Sequence, residues 1–325
     1  MSRIVVVLVV LSIHSILPIS PVWAQDFPSR IVRMVVPYAA GGLPDVVTRL
    51  VSQRMAESMG QQIIVENRPG AGGIGATEIV VKSPADGYTL LVTDGSQLTI
   101  NPFIYSKLSY EPMRDLMAVS LMGSSPLFLA VNSTQMSARN LTEMIAFAKA
   151  NPGKLNYGTP GTGSVVHLAA EAFKAAAGID LVHIPFKGSA AAVRALLSGD
   201  ISFAPVALST VAAHVAAGKV RLLAVTTPTR SRQAPDVPTF GEFGFADFDF
   251  RPQVGIVAPA GTPVPIVARL SAEIAKGVKH PETVKRLTSF SIDPVGSTPE
   301  AFAAILKADS ERYARVVKIS GTRAD

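Results

Sequence analysis

Short apolar runs alternate with helix-periodic segments along most of this chain, and that alternation restricts it to few architectures. Residues 31–36, 62–66 and 88–93 read as strands. A helical pattern follows each of the first two. One begins near Asp45, with Val46, Val47, Leu50 and Val51 on one face, and the other spans 74–82. The series restarts with strands at 126–132, 155–157, 181–184, 201–204 and 220–225. Helices are expected between them at 140–150, after Ser164, at 190–198 and at 209–217. Asn140 and Glu143 form a capping-box-like start, and Gly199 and Gly218 supply stops. A strand at 254–258 and helices at 262–279, near 281 and at 298–318 complete the chain. Such alternation predicts an α/β protein whose sheets are mainly parallel and flanked by helices. The chain is expected to cross between two lobes near 125–132 and return near 251–258. Residues 25–128 and 252–325 then form lobe 1, and 129–251 form lobe 2. Ligands of open α/β sheets sit beyond the C-terminal ends of the strands, so the loops after the strands of both lobes face one cleft.

The N-terminus sets the compartment. Arg3 precedes an apolar stretch from Ile4 to Leu17, and Val22-Trp-Ala24 places small residues before a cleavage point after Ala24. This describes a secretory signal peptide over 1–24. The apolar run is shorter than the ~20 residues a membrane span needs, so the mature chain is expected not to span a membrane. Without cysteine there is neither a cysteine-linked lipid anchor nor a disulfide. Charged residues are 17% of the chain, below the typical ~25%, and hydrophobic residues are 48%. The chain is therefore well able to bury cores. The formal charge of +6 is not gathered into the basic–aromatic arrays of nucleic-acid binders, and no nucleic-acid partner is expected.

One loop carries most of the chemistry. Gly158-Thr-Pro-Gly-Thr-Gly-Ser164 runs straight into a helix. Backbone N–H groups at such a junction point outward at the positive end of the helix dipole, which suits an anion. Val165 stands where a nucleotide-binding P-loop needs lysine. Gly70-Ala-Gly-Gly-Ile-Gly75 matches a dinucleotide pattern, with Asp94 near the expected acidic position, but Arg68-Pro69 lengthens its loop. The mature histidines His167, His183, His214 and His280 lack zinc-ligand spacing, and Asp247-Phe-Asp249 has no further oxygen cluster beside it. No nucleophile elbow is present, and Ser164 with His167 one turn on lacks a third partner. No metal, no cofactor and no enzyme activity are expected. His167 is either a ligand contact or a half-buried wall residue. Binding of a small organic anion leads; an exported sensor with a signalling partner, or a nucleotide-binding module or enzyme, stays open.

Taken in order, a set of segments resembles the TctC or Bug family of receptors for tripartite tricarboxylate transporters. They include Val36-Pro-Tyr-Ala-Ala-Gly-Gly42, Glu66-Asn-Arg-Pro-Gly70, Pro84-Ala-Asp-Gly-Tyr88, the 152–168 segment, His183-Ile-Pro-Phe-Lys-Gly188, Ala234-Pro-Asp-Val-Pro-Thr239 and Ala258-Pro-Ala-Gly-Thr-Pro263. The resemblance implies a two-lobed Venus-flytrap fold of type II kind. It implies a periplasmic receptor, acting as a monomer, that closes on a small carboxylate and delivers it to membrane permease subunits. By the same resemblance, Tyr38, Ala39, Ala40, Gly41 and Gly42 hold one end of the solute, with Asp45 ordering their loop. Thr159, Gly161, Thr162, Gly163 and Ser164 hold a carboxylate beside His167. Ser96, Gln97, Phe203 and Val206 line the pocket. Gln253 departs from the family, where an aromatic residue is common.

Overall fold

The computed structural model describes residues 27–324, so the expected signal peptide and its cleavage point lie outside the described residues. The first run of chain is β1 (Val32–Val36), α1 (Leu43–Met59), β2 (Ile63–Asn67), α2 (Ile74–Val81) and β3 (Thr89–Thr93). Three short helices follow, α3 (Ser96–Thr99), α4 (Asn101–Ile104) and α5 (Pro112–Asp115), and then β4 (Leu116–Ser124). The second run is β5 (Leu127–Asn132), α6 (Leu141–Ala150), β6 (Asn156–Thr159), α7 (Val165–Ala177), β7 (Val182–Pro185), α8 (Ser189–Ser198), β8 (Phe203–Ala207), α9 (Leu208–Ala216) and β9 (Val220–Val225). The chain ends with β10 (Gln253–Pro259), α10 (Val264–Lys279), α11 (Pro281–Ser289), β11 (Asp293–Pro294) and α12 (Pro299–Ser320).

These strands form a six-stranded sheet, β11-β4-β10-β3-β1-β2, and a five-stranded sheet, β7-β6-β8-β5-β9. The two-lobed α/β architecture stands, but both sheets are mixed. β1 pairs in parallel with β2 and β3, while β10 is antiparallel to β3 and β4. In the second sheet β6 is parallel to β7 and β8, and β5 is antiparallel to β8 and β9. The inverted strands β5 and β10 are the two that follow a crossing. A chain that crosses at the C-terminal ends of the strands must enter the other sheet from that same end. Its next strand therefore runs against its neighbours.

Helices cover both faces of the first sheet, which explains its nearly unbroken apolar strands. Val32, Met34 and Val36 meet Val47, Val51 and Met55 of α1 and Val267, Leu270 and Ile274 of α10. On the other face Val35, Leu91 and Val257 meet Ala76 and Val80 of α2 and Phe302 and Leu306 of α12. Strand β4 was not foreseen, because Leu-Met-Ala-Val-Ser-Leu-Met-Gly-Ser carries one β-branched residue and no alternation. It is buried nonetheless, between β10 and β11.

The two sheets also share apolar packing. Ile100 and Ile104 beside β3, Val165 and Leu168 of α7, and Tyr313, Val316 and Val317 of α12 belong to one buried cluster. Thus α12 starts on the first sheet and ends against the helix that carries the glycine loop. Gln253, the family departure, donates from Nε2 to Asp309 Oδ2 of α12 at 2.8 Å. Burial raises the Asp309 carboxyl to about 6, although Arg312 beside it pulls the other way. Asp247 occupies a turn at φ 58°, and Asp249 pairs with Arg251 at 2.7 Å. Among the described residues no cluster of three or more histidine and carboxylate groups is placed to hold a metal.

Candidate functional site: a two-chambered cleft

The loops that follow β1 and β6 meet across the space between the sheets. In the 37–42 loop, Gly41 takes φ 82°, which favours glycine, and donates its N–H to Asp45 Oδ2 at 2.9 Å. Asp45 also accepts from Arg49 Nε at 3.0 Å and from Asn67 Nδ2 at 2.9 Å, and that amide in turn donates to Tyr38 O at 3.0 Å. Burial pushes the Asp45 carboxyl up, but the bonds from Arg49, Gly41 and Asn67 outweigh it and hold it below its usual range. Asp45 is only 2% exposed and lies beneath the loop, not on the cleft wall. Ala39, Ala40 and Gly41 are exposed above it.

The facing loop rests on rings. Ser164 caps α7, accepting the N–H of His167 at 3.2 Å and donating to Gly161 O at 2.8 Å. Gly163 donates its N–H to His167 Nδ1 at 3.2 Å. The His167 ring stacks on His183 at 4.0 Å, His183 stacks on Tyr157 at 5.0 Å, and Tyr157 stacks on Phe203 at 5.5 Å. Thr159 Oγ1 bonds His183 Nε2 at 2.7 Å, and Tyr157 donates its hydroxyl to Glu171. Burial, then the neighbouring His183 and Lys174, lowers His167 to about 3; burial and Lys174 lower His183 to about 4. Both rings are therefore neutral near pH 7, and His167 Nδ1 is an acceptor. Gly163 takes φ 75°, and a Cβ there would come within 2.4 Å of Ile104 Cδ1 on the other side of the cleft. The N–H groups of Thr162, Val165 and Val166 meet no acceptor among the described residues.

Two cavities of about 690 and 710 Å³ lie between the loops and share Ala39, Pro160, Lys187 and Gly188 as their common wall. The first holds Ala39, Ala40, Gly41, Gly42, Val206 and Val166. The second holds Tyr38, Asp94, Ser96, Gln97 and the run from Gly161 to Ser164. Among the residues expected at the site, Thr159, His167 and Phe203 stand behind these walls with Asp45, buried and supporting them. Gln97 is a hub of the second chamber. It accepts from Thr93 Oγ1 at 2.7 Å and donates to Tyr38 Oη at 2.9 Å and to Gly72 O at 3.3 Å. Gly73 serves this packing: a Cβ there would lie 2.7 Å from Gln97 Nε2 and 2.8 Å from Pro37 Cβ, while one on the neighbouring Gly72 would lie 2.6 Å from Tyr105 Oη.

Lys187 and Gly188 are wall residues that the sequence-based site lacked. Lys187 is exposed, faces both chambers and makes no ion pair among the described residues. The signal was available, since Lys187 directly follows β7 and strand C-terminal ends point at the cleft.

Comparison with known proteins decides the family. The family model described as "Tripartite tricarboxylate transporter family receptor" matches residues 47–322. The chain belongs to this family. Protein BugT of Bordetella pertussis is 33% identical over 305 residues, covering 94% of this chain and 93% of that one. The solved structure of R. palustris Rpa4515 with adipate has a TM-score of 0.81 at 31% identity, covering 92% of this chain and 99% of that one. MatC from Rhodopseudomonas palustris, with bound malate, has a TM-score of 0.77 at 31% identity, covering 90% and 100%. The chain is thus a solute-binding receptor of a periplasmic family and not an enzyme. No helix among the described residues is long and apolar enough to cross a membrane.

Proposed function

We propose that this receptor captures a small carboxylate and hands it to the membrane subunits of a tripartite transporter. The observation that carries the reading is a cleft walled by two glycine loops, where the N–H groups at the start of α7 and the Lys187 cation between the chambers have no partner among the described residues. On this reading Ala39 to Gly42 hold one end of the solute, and Thr162, the α7 N-terminus and Lys187 hold a carboxylate. Ser96, Gln97 and Val206 shape the rest. Asp45, Thr159, His167 and Phe203 support the walls from behind. The bound relatives, one with adipate and one with malate, support a carboxylate of this size. Residues 1–24 are removed on export, with cleavage after Ala24, and the mature chain works as a periplasmic monomer. The segments 25–128 with 252–325, and 129–251, are the bodies that close on the solute.

The energies suffice. Hydrogen bonds to a charged group contribute about 1.5–3 kcal/mol each, and a helix N-terminus adds about 0.3–1. A micromolar complex needs about 8 kcal/mol, so three or four such donors reach that range once closure removes water. The test is calorimetric titration of the mature chain with a panel of mono- and dicarboxylates. Saturable binding is expected, weakened at least tenfold by Lys187→Met and by Gly163→Ala. Binding that both variants leave unchanged removes this site assignment.

A further inference from the structure

The second chamber carries a feature that a simple carboxylate does not explain. Asp94 lines it, half-buried, at the end of β3. Its position is fixed. Oδ1 accepts the N–H of Ser96 at 2.9 Å, its carbonyl accepts the N–H of Gln253 at 3.2 Å, and Gly95 follows at φ 100°. No lysine or arginine pairs with it among the described residues. The group beside it is the Tyr38 phenol, which burial and then the Asp94 charge both push upward, so that the hydroxyl stays protonated. The chamber therefore presents a carboxylate on the first-sheet side, fixed by the N–H of Ser96 and the hydroxyl of Tyr38 and without a cationic partner among the described residues. Across from it are the cation of Lys187 and the Gly161 to Ser164 loop at the start of α7. A solute bearing only carboxylates would set like charges together at Asp94. A solute with a positive group near its carboxylate would meet opposite charge at both ends.

We propose that Asp94 makes this receptor selective for an amino-bearing carboxylic acid, whose ammonium group pairs with Asp94 while a carboxylate takes Lys187 and the α7 loop. This rests on the carboxylate-binding reading above and deepens it. Asp94 fixes specificity through contact with the ammonium. Tyr38 and Gln97 hold the surrounding wall by their mutual hydrogen bond.

The probes are matched by carbon skeleton: succinate, L-malate and L-aspartate, then glutarate and L-glutamate, titrated calorimetrically into the mature chain. The amino member of each set is expected to bind at least tenfold more tightly than its unsubstituted partner, and L-aspartate more tightly than L-malate. Asp94→Asn keeps an acceptor for Ser96 but removes the charge, so it is expected to cut the amino preference to less than threefold and to improve succinate binding. A thermal melt at unchanged midpoint shows that the variant is folded; where Asp94→Asn melts early, Asp94→Ser supplies the same comparison. Equal or tighter binding of succinate, tighter binding of L-malate than of L-aspartate, or an amino preference that survives both substitutions overturns the proposal. In those cases carboxylates still bind, and only the role of Asp94 is lost. If no member of the panel binds, the carboxylate reading itself fails and this inference fails with it.

Discussion

The 37–42 loop is braced by charge and the 158–164 loop by neutral rings. Beneath the first, a carboxylate gathers Gly41, Arg49 and Asn67 around itself. Beneath the second, His167 Nδ1 accepts the N–H of Gly163, and the ring is held in a stack with His183 and Tyr157. Both devices fix a glycine amide near a cleft that is read as receiving an anion, yet their local electrostatics differ. A negative brace lies behind the first loop. The rings that brace the second are themselves neutral, with Glu171 and Lys174 paired to each other beyond them, and the N–H groups at the start of α7 that meet no acceptor among the described residues face the cleft. The carboxylate end of a solute is therefore better placed at the second loop than at the first.

Breaking the ring brace is expected to have the largest effect. His167→Ala removes a buried ring and the acceptor for Gly163, at a cost of about 3–4 kcal/mol, read as a lower urea midpoint together with lost solute binding. Acid should separate the two braces next. His167 is depressed in the folded state, so its contribution is complete above its unfolded value near 6.5 and is lost as pH falls toward about 3. Below pH 6.5 this amounts to about 1.4 kcal/mol per pH unit. Asp45 is also depressed, and its contribution survives until pH falls below the ordinary aspartate value of 3.8. Asp309 runs the other way: raised to about 6, it stabilises fully below 3.8 and loses that contribution as pH rises through about 6. Urea unfolding at pH 7.5, 6 and 5 should show the decline, steepened in Asp309→Asn and flattened in His167→Asn. A flat profile in Asp309→Asn, where the opposing carboxyl is absent, would contradict a neutral buried His167.

Asp45→Ala is expected to cost less, about 2 kcal/mol, because the Arg49 side chain is half exposed and recovers water. Its signature is a weaker solute affinity with an unchanged pH profile between 5 and 7.5. Smallest is Ser164→Ala, which removes one helix cap at about 1 kcal/mol. If Ser164→Ala outweighs His167→Ala in urea, the rings do not carry the second loop.

Local chemistry was legible where one residue type performs one geometric task. The Asn140 cap with Glu143 and the Ser164 start of α7 appear as read, as does the Gly199 stop of α8, while α9 is capped at Ala217 with Gly218 next at φ 70°. Asp45 accepts the N–H of Gly41 from beneath its loop. Other features depend on partners distant in the chain, and single residues do not announce them. Strand β4 is a strand because β10 returns beside it from more than a hundred residues away. The inversion of β5 and β10 follows from where the crossings lie, which local periodicity does not record. Lys187 joins the cleft only once β7 is known to end there. The stack of His167 on His183 brings together two histidines sixteen positions apart that lack any recognisable spacing motif.

One feature of the fold bears on how far the cleft can open. Helix α12, with 22 residues and a length of about 33 Å, is sewn to the first sheet through Phe302 and to the glycine-loop helix through Tyr313 and Val317. A stiff rod fastened near both ends behaves as a tie-bar. The sheets can turn about a line close to α12, while swinging apart around the crossings alone would tear an apolar seam. On the closure proposed above, opening is thereby steered into a twist about α12.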